Sequence, residues 1–133
     1  MANNPARCTL AYWHAPLFTS GLHGPSEEVR PLWQALYDAG AEIIINGHEH
    51  HYERFFPMDP NGRVDEIGGI RQFISGTGGA DWRIPPGWSP NSQKIVSGEF
   101  GVLKFTLKPD SYDWEFIPEE GKTKADAGTG MCH

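Results

Sequence analysis

The sequence predicts an α/β domain: a βαβ unit, then antiparallel strands and a hairpin. Three observations carry this. Two apolar, β-prone runs, Thr9 to His14 and Glu42 to Asn46, flank a stretch with helical periodicity. Much later, two runs of strict alternation stand on either side of Pro109-Asp110. Between them, Gly and Pro are frequent (16 and 11 of 133 residues) and spread among apolar runs, which favours many turns over long helices.

Taken in order, Thr9 to His14 is short, apolar and aromatic, as a strand requires. Ala15 to Pro25 is a loop rich in Pro, Ser and Gly. Ser26 is the expected N-cap, with Glu27 and Glu28 suited to a helix N-terminus. Val29, Leu32, Trp33, Leu36 and Tyr37 then recur at one-face spacing. Pro31 requires the helix to bend or to begin there, and Gly40 is its stop. The β-branched run of Glu42 to Asn46 reads as a strand buried on both faces. Strand, helix, strand in this order implies parallel strands and a right-handed crossover. Ile70 to Ser75 is a further strand, running into Gly76-Thr77-Gly78-Gly79, and Asp81 to Pro90 is an irregular loop. Phe100 to Leu107 and Ser111 to Ile117 form the hairpin, and 119–133 reads as a loosely ordered tail.

Bulk composition narrows the function. A chain of 133 residues holds one core, and 12% aromatic residues can fill it. A net charge of −6 with no basic run argues against a nucleic-acid or membrane-surface binder. No apolar stretch is long enough for a membrane segment, and Asn3, Asn4 and Pro5 do not make a signal peptide. Cys8 and Cys132 either pair, tying the tail to the first strand, or remain free thiols.

The chemistry lies in the histidines. His14 ends the first strand and His48 follows the second by two residues. In a parallel βαβ unit both lie at the carboxyl edge of the sheet, where open α/β folds place ligands. His50 can turn inward over the same edge, with Gly47 leaving room for the bend. Three converging imidazoles suit a divalent metal; isolated histidines in loops would have no such role. A zincin HExxH is excluded because position 52 is Tyr. Trp82 and Trp88 either wall a pocket or pack over the core.

Gly47-His48-Glu49-His50 resembles the Gly-His-x-His motif of the calcineurin-like metallophosphoesterases. Tyr52-Glu53-Arg54 extends it in the manner of the purple acid phosphatase branch and its alkaline phosphatase-like relatives. Tyr12 to Ser20 is similar to that branch's His-x-Pro-aromatic-Ser segment. The resemblance is specific from about Cys8 to Gly79 and looser beyond. It implies the C-terminal half of an α/β/β/α sandwich and phosphoric-ester hydrolysis at a site of two metal ions (Fe, Zn or Mn). His14 and His48 would bind one metal and His50 the other. His23 would sit over the substrate phosphate as a hydrogen-bond or proton donor. Arg54 would form a structural ion pair or, alternatively, contact phosphate. Glu49, at the motif's variable position, is expected to be solvated, and His51 and His133 to be surface residues.

The family's earlier motifs, Gly-Asp-x-x and Gly-Asn-His with their aspartates, do not occur in this sequence. The expectation is therefore a fragment, opening in mid-domain, with little phosphatase activity of its own. Two alternatives stand beside it: a non-catalytic metal- or phosphate-binding remnant, or a half-domain completed by a partner chain or by self-association. A parent protein of this branch would be secreted or periplasmic.

Overall fold

The computed structural model describes residues 7–123 and 125–133. Asn3, Asn4 and Pro5 lie outside them. Among the described residues are eight strands, one α-helix and one 3-10 turn: β1 (Leu10–Trp13), the 3-10 turn (Glu27–Val29), α1 (Arg30–Asp38), β2 (Ile43–Asn46), β3 (Tyr52–Met58), β4 (Ile70–Ser75), β5 (Ser92–Val96), β6 (Gly101–Leu107), β7 (Ser111–Pro118) and β8 (Asp126–Met131). No helix among the described residues is long and apolar enough to cross a membrane.

The first sheet has the order β1-β2-β4-β3-β5. β1, β2 and β4 run parallel, while β3 is antiparallel to both β4 and β5. The βαβ unit and the strand at Ile70–Ser75 are thus as expected from sequence. The second sheet is antiparallel, β6-β7-β8, and contains the expected hairpin.

The mixed sheet is buried on both faces. On one, Ile44, Phe55, Ile70 and Ile74 pack with Leu17 and the fully buried Trp33 of α1. On the other, Ile43, Tyr52, Phe73 and Val96 meet Tyr112, Trp114 and Phe116 of β7. The layers are therefore helix, mixed sheet, antiparallel sheet. Pro31 lies in the first turn of α1, where its missing N–H costs nothing. The Ser26 side chain makes no capping bond, and Leu32 is exposed; Trp33, Leu36 and Tyr37 carry the buried face. Gly40 (φ 70°) ends the helix: its N–H reaches Tyr37 O at 3.0 Å, and the Ala41 N–H reaches Leu36 O at 3.0 Å. That is the Schellman pairing.

The C-terminal segment corrects the sequence reading. Instead of a loose tail, 126–131 forms β8, paired along β7. Its glycines, which read as loop, lie beneath aromatic rings: a Cβ at Gly128 would meet Trp114 at 2.3 Å, and one at Gly130 would meet Tyr112 at 2.2 Å. Beyond β8, Cys132 is disulfide-bonded to Cys8, with Cα atoms 5.3 Å apart.

Candidate functional site

The three parallel strands end at one edge. β1 delivers His14, β2 delivers Gly47 and His48, and β4 delivers the glycines of 76–79. Gly47 N–H donates to His14 O (3.0 Å), which joins the first two ends beyond the sheet. The turn rests on His48, the one non-glycine described residue with positive φ (67°). Histidine tolerates this left-handed conformation better than most residues, yet it costs free energy that the surrounding bonds must hold. A Cβ at Gly47 would meet the His14 ring no nearer than 3.6 Å, an ordinary contact, so the bend belongs to His48.

Gly76 is the constrained glycine. A Cβ there would lie 1.9 Å from the carbonyl oxygen of Glu49, a backbone atom that cannot swing aside. Gly76→Ala is expected to destabilise the fold by about 1–3 kcal/mol, read as a lower midpoint in urea. An unchanged midpoint would mean that the 47–51 loop moves freely.

His14, His23, His48, His50 and Arg83 line a cleft of about 410 Å³ floored by these glycines. His14 Nε2 and His48 Nδ1 stand 3.1 Å apart, and the His23 and His48 ring centres are 4.6 Å apart. His50 does not join them through its Nδ1, which contacts the Asp81 carbonyl at 2.7 Å. Among the described residues, no group of three or more His, Cys, Asp or Glu is arranged to hold a metal.

The implied metals set a spacing for their donors. Two nitrogens bound to one ion at about 2.0–2.1 Å each stand about 3 Å apart. His14 and His48 meet that spacing. His50 meets a different requirement, since a ring nitrogen bonded to a backbone carbonyl leaves the other as the free lone pair, the usual support of a histidine ligand. A pair therefore fits, while the described residues do not supply the remaining ligands of a closed coordination sphere.

Arg83 was not anticipated from sequence. It lies in the irregular 81–90 loop, and its Nη1 donates to His23 Nε2 at 3.1 Å. Its backbone N–H donates to His50 O at 3.0 Å, which docks the loop on the histidine turn. Trp82 and Trp88 of the same loop are exposed and do not pack over the core.

Two other expectations change. Glu49 is buried, not solvated: it accepts the His23 backbone N–H at 2.9 Å and lies 3.2 Å from His23 Nδ1. His51 is buried, with Nε2 at 3.0 Å from Glu53, which also accepts the Ser20 N–H at 3.0 Å. His133 is a surface residue, as expected, with its ring Nδ1 3.2 Å from the buried Glu42. Of the two roles open to Arg54, the structure shows the ion pair: Arg54 is absent from the cleft, pairs with Asp126 at 2.7 Å and stacks on Trp114.

No protein-family model matches this sequence, and no curated protein matches it. Solved structures do. One is the purple acid phosphatase PPD1 from yellow lupin (Lupinus luteus) seeds, at TM-score 0.76 and 21% identity, covering 96% of this chain and 26% of that one. The fold is purple acid phosphatase-like. Another is GAP50, the anchor in the inner membrane complex of Plasmodium, at TM-score 0.66 and 19% identity, covering 90% of this chain and 34% of that one. This chain thus spans about a quarter to a third of those proteins and has the mixed-sheet-plus-hairpin architecture of the C-terminal part of such a domain.

Proposed function

We propose that the cleft is the histidine-bearing side of a two-metal phosphate-ester hydrolase site. The observation that carries this reading is the 3.1 Å approach of His14 Nε2 to His48 Nδ1 at the carboxyl edge of parallel strands. His14 and His48 would hold one ion and His50 would serve the other. Such ions, Fe, Zn or Mn, lower the pKa of water toward about 7 and offset charge on a phosphoryl group.

The chain's own contribution is to bind and orient the ester. Arg83 brings a guanidinium to the cleft, and its planar donors suit phosphoryl oxygens. His23 supports Arg83, and its Nε2 becomes a direct donor to substrate only when Arg83 releases it and it takes up a proton. The buried Glu49 and Glu53 hold the loop that carries His23 against the histidine turn.

A second reading is a binding remnant without turnover. It is favoured by the lack of a third converging ligand among the described residues. Elemental analysis of the dialysed chain beside His48→Ala tests the metal site. The expected result is about one metal per chain, lost in the variant. No metal in either protein would sink the site in this chain. Phosphatase turnover appearing only when a domain half bearing the early aspartates is mixed in would select the half-domain reading; metal without turnover in any mixture would select the remnant.

A further inference from the structure

We propose that Glu49 is a positioning residue that locks His23 as its Nδ1–H tautomer, so that Nε2 carries Arg83 into the cleft. The proposal deepens the phosphate-site reading and rests on it for its functional consequence; the tautomer itself does not.

The argument starts from donors. Arg83 has only N–H groups to offer, so the nitrogen it approaches at 3.1 Å, His23 Nε2, must accept. In a neutral ring the proton then sits on Nδ1, which is 3.2 Å from Glu49 Oε2. The other oxygen, Glu49 Oε1, accepts the His23 backbone N–H at 2.9 Å. One buried carboxylate therefore fixes both the main chain and the ring of His23. The sequence makes room for it at Gly21, where a Cβ would lie 2.1 Å from the Glu49 carboxyl carbon.

The chemistry predicts an unusual outcome for Glu49→Gln. The backbone N–H of His23 is a donor that cannot change, so the glutamine oxygen must face it. The amide NH₂ is then turned to Nδ1, which has to become an acceptor. The ring proton moves to Nε2, where it meets the Arg83 N–H head-on and displaces the guanidinium. Gly21→Ala acts on the same carboxylate, because the new methyl would lie 2.1 Å from its carboxyl carbon and displace it from His23, which frees the ring from its lock and loosens its hold on Arg83.

The test is the pattern of ring nitrogens in ¹⁵N–¹H correlation spectra of the full chain, recorded metal-free near neutral pH, with a titration of inorganic phosphate. Wild type is expected to show Nδ1–H at His23, and Glu49→Gln to show Nε2–H. Phosphate affinity is expected to fall about tenfold in both variants as the charged donor is lost. An Nε2–H ring in the wild type overturns the proposal before any variant is made. A flipped tautomer with unchanged phosphate affinity overturns the link to Arg83. Wild type with the Nδ1–H ring but no phosphate binding leaves the lock standing and overturns the phosphate-site reading together with the link. If Glu49→Gln fails to fold, Gly21→Ala decides: full phosphate affinity there overturns the link.

Discussion

Reduction of the Cys8–Cys132 disulfide is expected to cost about 4–5 kcal/mol, the upper end of what one bridge contributes. The bond joins residues separated by 124 positions, so it closes nearly the whole chain. In the chain-entropy view, the longer the loop, the more freedom the bond removes from the unfolded state. Its location adds to the argument. Cys8 precedes β1, an outer strand of the mixed sheet, and Cys132 follows β8, an outer strand of the antiparallel sheet. The bond therefore ties the two layers at their rims. It also holds β8, whose glycines contribute little apolar burial of their own. Guanidinium unfolding of the oxidised and reduced chain, with Cys8→Ser/Cys132→Ser as the matched variant, measures the effect. The corresponding fall in midpoint temperature is about 15–20 °C. A loss below about 1 kcal/mol would show that packing between the sheets holds the layers without the bond.

How far the sequence could be read depends on where each element's determinants lie. β1, α1 and β2 were legible because their patterns are local: a β-branched run, an amphipathic stripe and a glycine stop. β3 was hidden by Pro57, which argues against a strand. The strand tolerates it because the pairing shifts between Arg54 and Pro57, and β5 pairs only as far as Phe55. β8 was hidden by Gly128 and Gly130, whose reason for being glycine is a pair of rings on β7. The site divides in the same way. His14, His48 and His50 follow from strand ends and a motif. Arg83 does not, because what defines it is a nitrogen 60 positions away in sequence. Glu49 was misjudged because a motif's variable position says nothing about burial. In each miss the deciding partner is distant in the chain.

The Arg54–Asp126 pair yields the second large effect, and its sign with pH is fixed. Asp126 sits between the sheets and accepts from Arg54 Nε (2.7 Å), the Tyr52 hydroxyl (2.6 Å) and Trp114 Nε1 (3.1 Å). Burial by itself would raise its carboxyl pKa; the bonds from Arg54, Tyr52 and Trp114, with the Arg54 charge, outweigh burial and hold it below the ordinary range. The same surroundings push the Tyr52 hydroxyl pKa upward. Asp126→Asn keeps the shape but leaves Arg54 without its counter-charge. Breaking such a pair costs about 3–5 kcal/mol. The lower figure is expected here, because Arg54 retains a bond to Gln93 and the face of Trp114. With a folded pKa below the unfolded value of about 3.9, the carboxylate stabilises the fold fully above about pH 5. As pH falls below about 4 the unfolded chain takes up the proton first, and the contribution is progressively lost. The gap between wild type and Asp126→Asn in denaturant should therefore be largest near neutrality and shrink toward pH 3. A gap that stays constant between pH 7 and pH 3 would mean the variant acts through packing and not through charge. A gap that widens in acid would contradict the assigned direction of the Asp126 shift and remove this pair from the account of what holds the sheets together.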